Sequence, residues 1–269
     1  MLNRTASQNH HANALVMGQF RTGRGFTLVE LLTVAAIISL IASLLLASAN
    51  RTLEMASQTS CRNNLKQVAL GCLMYSNDDP GGYFSTAVHD TNDVVSFLYP
   101  RYVPSVESFL CPSTDNHIRS DKFITNPFSG QRELYDLTGY AGNPEGPGTS
   151  YELFGFMNAT EDKLSSTDIK FDGQIIRVNG TKKSVSSVQN YIHQYDSFGL
   201  KGQSPGPSGI WLLADGDESP PGRQNYPDSN NNHGAEGGNI AACDGHVEWI
   251  ERKDYFYLYE FSQDENRTE

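Results

Sequence analysis

The chain of 269 residues carries a formal net charge of -11, with 20 basic side chains against 31 acidic ones. Such a surface is poorly suited to a polyanion, which argues against nucleic acid as a direct partner and is compatible with divalent cations or basic proteins. The hydrophobic content of 38% includes one long N-terminal apolar run, so the remainder is distinctly polar and reads as one modest core carrying long loops.

Residues 1–25 contain Arg4, Arg21 and Arg24 and no acidic residue. From Phe26 to Ala49 the chain is almost uninterruptedly apolar, with Glu30 its single charge. At about 1.5 Å rise per residue, a helix of this length crosses the roughly 30 Å hydrocarbon core with some tilt. The positive-inside rule then leaves residues 1–25 in the cytoplasm and sends the bulk of the chain across the inner membrane. A carboxylate near the edge of a bilayer is costly and is rarely left without a partner or a role. A cleaved secretory signal ending at Ala47-Ser48-Ala49 fits the small-residue pattern, but the run exceeds the usual signal length and contains Glu30. A plain single-pass anchor explains the length and the basic flank, and leaves Gly25-Phe26 and Glu30 without a purpose.

The succession Gly25, Phe26, Thr27, Leu28, Val29, Glu30 behind a basic leader resembles the N-terminus of the type IV prepilin and type II secretion pseudopilin superfamily. The resemblance implies that a prepilin peptidase/N-methyltransferase cuts after Gly25 and methylates Phe26. It also implies that the Glu30 carboxylate neutralises the α-amino group of a neighbouring subunit's Phe26 when helices pack in a low-dielectric bundle. The partners it implies are like or related pilin subunits and an inner-membrane assembly platform. The expected location is the inner membrane, single pass, with the head periplasmic, and a filament after processing. A leader of 25 residues is long for the family, and a start at Met17 would shorten it.

Beyond the membrane the helix should continue, because residues 51–77 contain no Gly or Pro except Gly71. Leu53, Ala56, Cys61, Leu65, Val68, Ala69, Cys72 and Tyr75 form an amphipathic stripe that should stop at Asn77-Asp78-Asp79-Pro80-Gly81-Gly82. A helix from Phe26 to Ser76 would be roughly 75 Å long. Cys61 and Cys72 then share a helix face about 16 Å apart and cannot bond each other. In an oxidising compartment, a bridge from one of them to Cys111 is the favoured pairing, with Cys61–Cys111 the candidate; four buried thiols are the alternative.

Asn63-Asn64-Leu65-Lys66-Gln67 and Phe109-Leu110-Cys111-Pro112 look like segments of the pilin-like proteins with prepilin-type N-termini found in planctomycete and verrucomicrobial genomes. Val94 to Val103 suggests short helical or turn structure around a Tyr-Pro break. Residues 113–207 read as a long polar insertion in which Gln174 to Val178 is the clearest strand and Ser184 to Tyr195 is ambiguous.

Ile210 to Ala214 is a buried-strand candidate. Asn239 to Cys243 and His246 to Glu251 flank Asp244-Gly245, a preferred centre for a two-residue hairpin turn. That turn would pair Cys243 with His246 and Ile240 with Trp249, placing Ile240, Ala242, Val247 and Trp249 on one face. The stretch from His233 to Asp244-Gly245 resembles the H-x9-DG motif of the same pilin-like proteins, with ten intervening residues here. Asp215, Asp217, His233, Asp244 and His246 could converge at one sheet edge, and the aspartates Asp215, Asp217 and Asp244 would suit calcium, which major pseudopilins bind near their C-terminus. Asp-Gly pairs also form turns without any ion, and that reading is favoured. No nucleophile elbow, phosphate loop or metalloprotease motif occurs, so the sequence offers no enzyme signature.

The expectation is therefore an α+β pilin-like fold: leader 1–25, membrane and assembly helix 26–49, helical continuation 50–78, and a head from 79 to 269. The function it implies is a structural subunit of a type II secretion pseudopilus or type IV pilus-like filament. A membrane-tethered module that binds a surface ligand such as polysaccharide is the alternative.

Overall fold

The computed structural model describes residues 25–87, 93–126, 130–139, 145–159, 168–171, 174–177, 180–216 and 226–267. The fold is α+β, a long N-terminal helix with an antiparallel sheet. The chain divides into two compact units, Met1–Ala49 and Asn50–Glu269.

Helix α1 runs from Leu28 to Asp78, 51 residues. Its start is fixed by reciprocal capping. The Thr27 Oγ1 accepts the Glu30 backbone N–H at 3.2 Å, and the Glu30 carboxylate accepts the Thr27 N–H at 2.9 Å and its hydroxyl at 2.8 Å. This is the Thr-x-x-Glu capping box, and it satisfies donors that a helix start would otherwise leave orphaned. In the first unit the described apolar side chains, among them Leu28, Leu31, Ile38 and Leu45, are exposed. The helix is long and apolar enough to cross a membrane.

In the second unit, the stretch of α1 from residue 50 onward buries Cys61, Leu65, Val68, Ala69 and Cys72, five members of the stripe read from the sequence. They pack against a four-stranded antiparallel sheet built from β1 (Tyr151–Leu153), β2 (Trp211–Asp215), β3 (Gly237–Ala242) and β4 (Val247–Glu251), in the order β4-β3-β2-β1. A bulge in β2 between Trp211 and Leu213 turns Leu212 and Leu213 toward the α1 side and leaves Trp211 and Ala214 on the other. That other face is covered by helix α2 (Arg252–Gln263), whose Tyr255 and Tyr259 meet Trp211 edge-on, with ring centroids 5.0 and 5.6 Å apart. The sheet thus lies between two helices, and β3 is buried along its whole length.

The β3–β4 hairpin forms, one residue out of the expected register. Ala241 pairs with Val247 and Asn239 with Trp249, because the loop is the three-residue Cys243-Asp244-Gly245 and not Asp244-Gly245 alone. The Gly245 N–H donates to Ala242 O at 2.8 Å, and Gly245 takes the left-handed φ of +83° that this loop requires. Ala241 and Val247 therefore join the α1-side core, while Ile240 and Ile250 join the α2-side core.

Residues 113–207 are less of an insertion than their polarity suggests. They supply the sheet's edge strand β1, and Tyr151, Leu153, Met157 and Val188 from this stretch belong to the main core. The expected strand near Gln174 is present as Gln174–Arg177, paired with Asp168–Phe171. The ambiguous stretch from Ser184 begins as a short helix, Val185–Gln189, with Ser184 and Ser187 forming a capping box. The Tyr99–Pro100 break is a cis peptide following a 3-10 turn at Ser96–Leu98.

Candidate functional site

Among the described residues, one group of side chains in each unit bears on function. In the first unit, Gly25 has open space around it: apart from its chain neighbours, no atom of the described residues lies within 4 Å of where a Cβ would stand. Phe26 beside it is 78% exposed. Glu30 follows one turn later, its carboxylate held by Thr27. A peptide bond preceding a capped helix, flanked by glycine and unobstructed, is open to an enzyme that must reach its backbone.

In the second unit, Cys61 of α1, Cys111 after a 3-10 turn, Asp215 at the end of β2 and His233 before β3 offer four ligand atoms that all lie within 4.8 Å of one another. Cys61 Sγ donates to Asp215 Oδ1 at 2.9 Å, and Cys111 Sγ is 3.4 Å from His233 Nε2. Nε2 is 3.8 Å from Asp215 Oδ2. The group has its own supports. His233 Nδ1 faces Glu54 Oε1 at 2.9 Å and Ser113 Oγ at 3.3 Å. Asp215 Oδ2 accepts the Asn239 backbone N–H at 2.7 Å and its side-chain amide at 2.9 Å. The Tyr151 hydroxyl lies 3.5 Å from Cys61 Sγ.

Burial and partners divide the protons unequally in this cluster. Burial, together with the neighbouring Cys111 and Asp215, pushes the Cys61 thiol well above its ordinary pKa. The hydrogen bond from Cys61, reinforced by His233, pulls Cys111 down despite burial. Burial opposes charge on His233, but its bond to Cys111 and the Asp215 charge outweigh this and raise it to about 9.

The site residues expected from sequence are redistributed. Cys61 and Cys111 do meet, as free thiols and not as a bridge, and Cys72 and Cys243 are buried thiols as well. Of the aspartates read as a calcium set, Asp215, Asp217 and Asp244, the structure describes two and does not bring them together. Asp215 closes β2, whereas Asp244 lies in the β3–β4 loop beyond the strand's other end, its N–H donating to Pro207 O at 3.2 Å. Asp244 is an exposed turn residue whose Oδ1 accepts the His246 N–H at 3.0 Å and faces its Nδ1 at 2.6 Å. Asp217 lies outside the described residues. His233 and Asp244, the two ends of the H-x9-DG-like stretch, are likewise separated by the length of β3. Glu54 carried no signal in the sequence, because nothing in an exposed helical glutamate announces a histidine far along the chain.

A second buried polar network was also silent in the sequence. Asp264, the left-handed cap of α2 at φ 52°, accepts from Tyr191 OH at 2.5 Å, Gln194 N at 2.7 Å, Asn158 Nδ2 at 2.9 Å and Tyr195 N at 3.1 Å. His193 Nδ1 stands 3.3 Å from its Oδ1.

Residues 21–46 match the prokaryotic N-terminal methylation motif. No curated protein and no solved structure matches the chain. The matched segment spans the basic flank, Gly25-Phe26, the Thr27–Glu30 cap and the exposed apolar start of α1, and it supports a precursor of the prepilin type, a substrate of prepilin peptidase anchored by its N-terminal helix.

Proposed function

We propose that this chain is a structural pilin-like subunit: cleaved between Gly25 and Phe26, methylated on Phe26, and assembled through α1 with like or related subunits into a type II secretion pseudopilus or type IV pilus-like filament. The observation that carries the reading is the methylation motif standing on an exposed, capped apolar helix that opens three residues after Gly25. Among the described residues of the first unit the apolar side chains of this helix are exposed, and a bilayer followed by a bundle of like helices would cover them.

The proposed division of labour follows the expected segments: residues 1–25 as leader, 26–49 as membrane and assembly helix, 50–78 as its continuation beneath the head, and 79–269 as the head. Within this reading the head is inserted across the inner membrane, and the assembly platform, not this chain, supplies the work of extraction. The subunit is read as structural and not as an enzyme.

The test is the identity of the mature N-terminus in a host that carries prepilin peptidase. N-methylphenylalanine at position 26 is expected. Cleavage before Asn50 would mean a secretory signal, and an intact N-terminus a plain anchor; either defeats the proposal.

A further inference from the structure

We propose that Cys61, Cys111, Asp215 and His233 form a closed, four-coordinate site for a thiolate-preferring divalent metal, zinc in the first instance. The site is independent of filament assembly and lies wholly within the second unit.

The first argument is geometric. Zinc bonds of about 2.3 Å to sulfur and 2.0–2.1 Å to nitrogen and oxygen place tetrahedral ligand atoms roughly 3.3–3.8 Å from one another. The separations here, 2.9 Å for Cys61 Sγ to Asp215 Oδ1 and 3.4 Å for Cys111 Sγ to His233 Nε2, with all four ligand atoms within 4.8 Å of one another, lie within a few tenths of an ångström to about 1 Å of that range, a shift that small side-chain adjustments cover. Four side chains from four separate parts of the second unit meet in one small volume, a convergence that strand pairing does not require.

The second argument is donor chemistry. Two sulfurs, an imidazole and a single carboxylate form a soft and mixed set, unlike the all-oxygen shell that calcium takes. All four side chains lie within the interior, so no position is left open to substrate, as in a structural rather than catalytic zinc site.

The third argument lies one shell out. A metal-bound histidine ordinarily directs its other nitrogen to a carboxylate, which fixes the ring and its tautomer. His233 does this with Glu54 Oε1 at 2.9 Å, leaving Nε2 to face the cluster. Asn239 holds Asp215 Oδ2 with two donors, leaving Oδ1 beside Cys61. Binding would release the thiol protons and the proton on His233 Nε2, leaving two thiolates, one carboxylate and a neutral imidazole around the dication. A Cys61–Cys111 disulfide would consume the same sulfurs, so the two states exclude each other.

The full chain, purified in detergent, tests this in two preparations. Under reducing conditions with cobalt(II) as probe, the expected spectrum has a thiolate-to-cobalt charge-transfer band and the intense visible bands of four-coordinate cobalt, all displaced by zinc. Cys111→Ser should abolish the charge-transfer contribution of one thiolate, Glu54→Gln should weaken zinc binding by about 10–100-fold, and Cys243→Ser, outside the cluster, should leave the spectrum intact. Metal analysis of protein isolated with thiols blocked at lysis should find bound zinc, and calcium should not replace it. A weak six-coordinate cobalt spectrum in the wild-type chain overturns the proposal, whatever the variants do. So does a metal-free Cys61–Cys111 disulfide in the protein as isolated.

Discussion

Thr27 and Glu30 cap each other: the hydroxyl of one accepts the backbone N–H of the other, and the carboxylate accepts both donors of its partner. The carboxylate that looks stranded at the edge of an apolar run therefore has a task in the single chain, before any neighbour arrives. Capping and pairing with a neighbouring amine are separable roles, because glutamine serves in a capping box but carries no charge.

Glu30→Gln should keep the helix start intact and still impair incorporation into filaments, while processing at Gly25 continues. Filament yield and the processed fraction, compared among wild type, Glu30→Gln and Glu30→Ala, check this. If the glutamine variant assembles normally and only alanine fails, the cap and not the charge is what assembly needs. Gly25→Ala should block cleavage in all backgrounds.

Gly71 sits inside α1, where alanine would ordinarily gain about 1 kcal/mol of helix propensity. A Cβ there would stand 2.5 Å from Val103 Cγ2. Overpacking of this kind costs about 1–3 kcal/mol, so Gly71→Ala should lower the thermal midpoint of the head. The double variant Gly71→Ala/Val103→Ala should recover part of the loss.

The three-residue hairpin loop makes its own prediction. Gly245 holds φ +83°, and a Cβ on it would approach Leu73 Cδ1 to 2.6 Å. Gly245→Ala should destabilise the head by about 1–3 kcal/mol in denaturant titrations. Asp244→Asn should be nearly neutral, since the side chain is exposed and asparagine suits turns as well.

The Asp264 network predicts a pH dependence. His193 has both ring nitrogens facing oxygens, Phe261 O at 2.7 Å and Asp264 Oδ1 at 3.3 Å, and Tyr191 and the Glu260 charge are close by. Burial opposes its charge, but these acceptors raise its pKa above the ordinary value. Its contribution is then fully present below about pH 6.5 and is lost as pH rises through the higher folded value. Asp264 is shifted the other way: burial works against it, but His193, the Gln194 and Tyr195 amides and Tyr191 lower it. That contribution is present above about pH 4 and lost as pH falls. His193→Gln should flatten the fall in stability between pH 6 and 8 relative to wild type. Asp264→Asn, which keeps a residue tolerant of the left-handed cap, should cost about 3 kcal/mol or more.

What the sequence disclosed follows from the range of the interactions involved. The α1 stripe and its stop, the β2 strand and the existence of the hairpin all rest on neighbours within a few residues, and they were legible. The hairpin register was not, because β3 is buried on both faces and apolar alternation carries little information there. The terminal helix α2 was missed, since Arg252 to Gln263 is a polar and aromatic stretch with no side-chain cap at its start. At the candidate sites, Gly25, Phe26 and Glu30 fall within six residues and could be read together. Cys61, Cys111, Asp215 and His233 share no local spacing, so only the fold joins them. Asp215 and Asp244, read from the sequence as neighbours at one sheet edge, lie instead beyond opposite ends of one strand.

The Asp264 cap also bears on when the head becomes a folded object. Its carboxylate closes a ring of donors from Asn158, Tyr191, Gln194 and Tyr195, all made well before residue 264 leaves the ribosome. Contacts so distant in sequence form late, because loop closure must precede any gain. A nascent chain already held at the membrane by α1 would therefore present an open head until this residue arrived. The anchor would then double as a tether, keeping an unfinished head at the bilayer and apart from other chains during its most aggregation-prone interval.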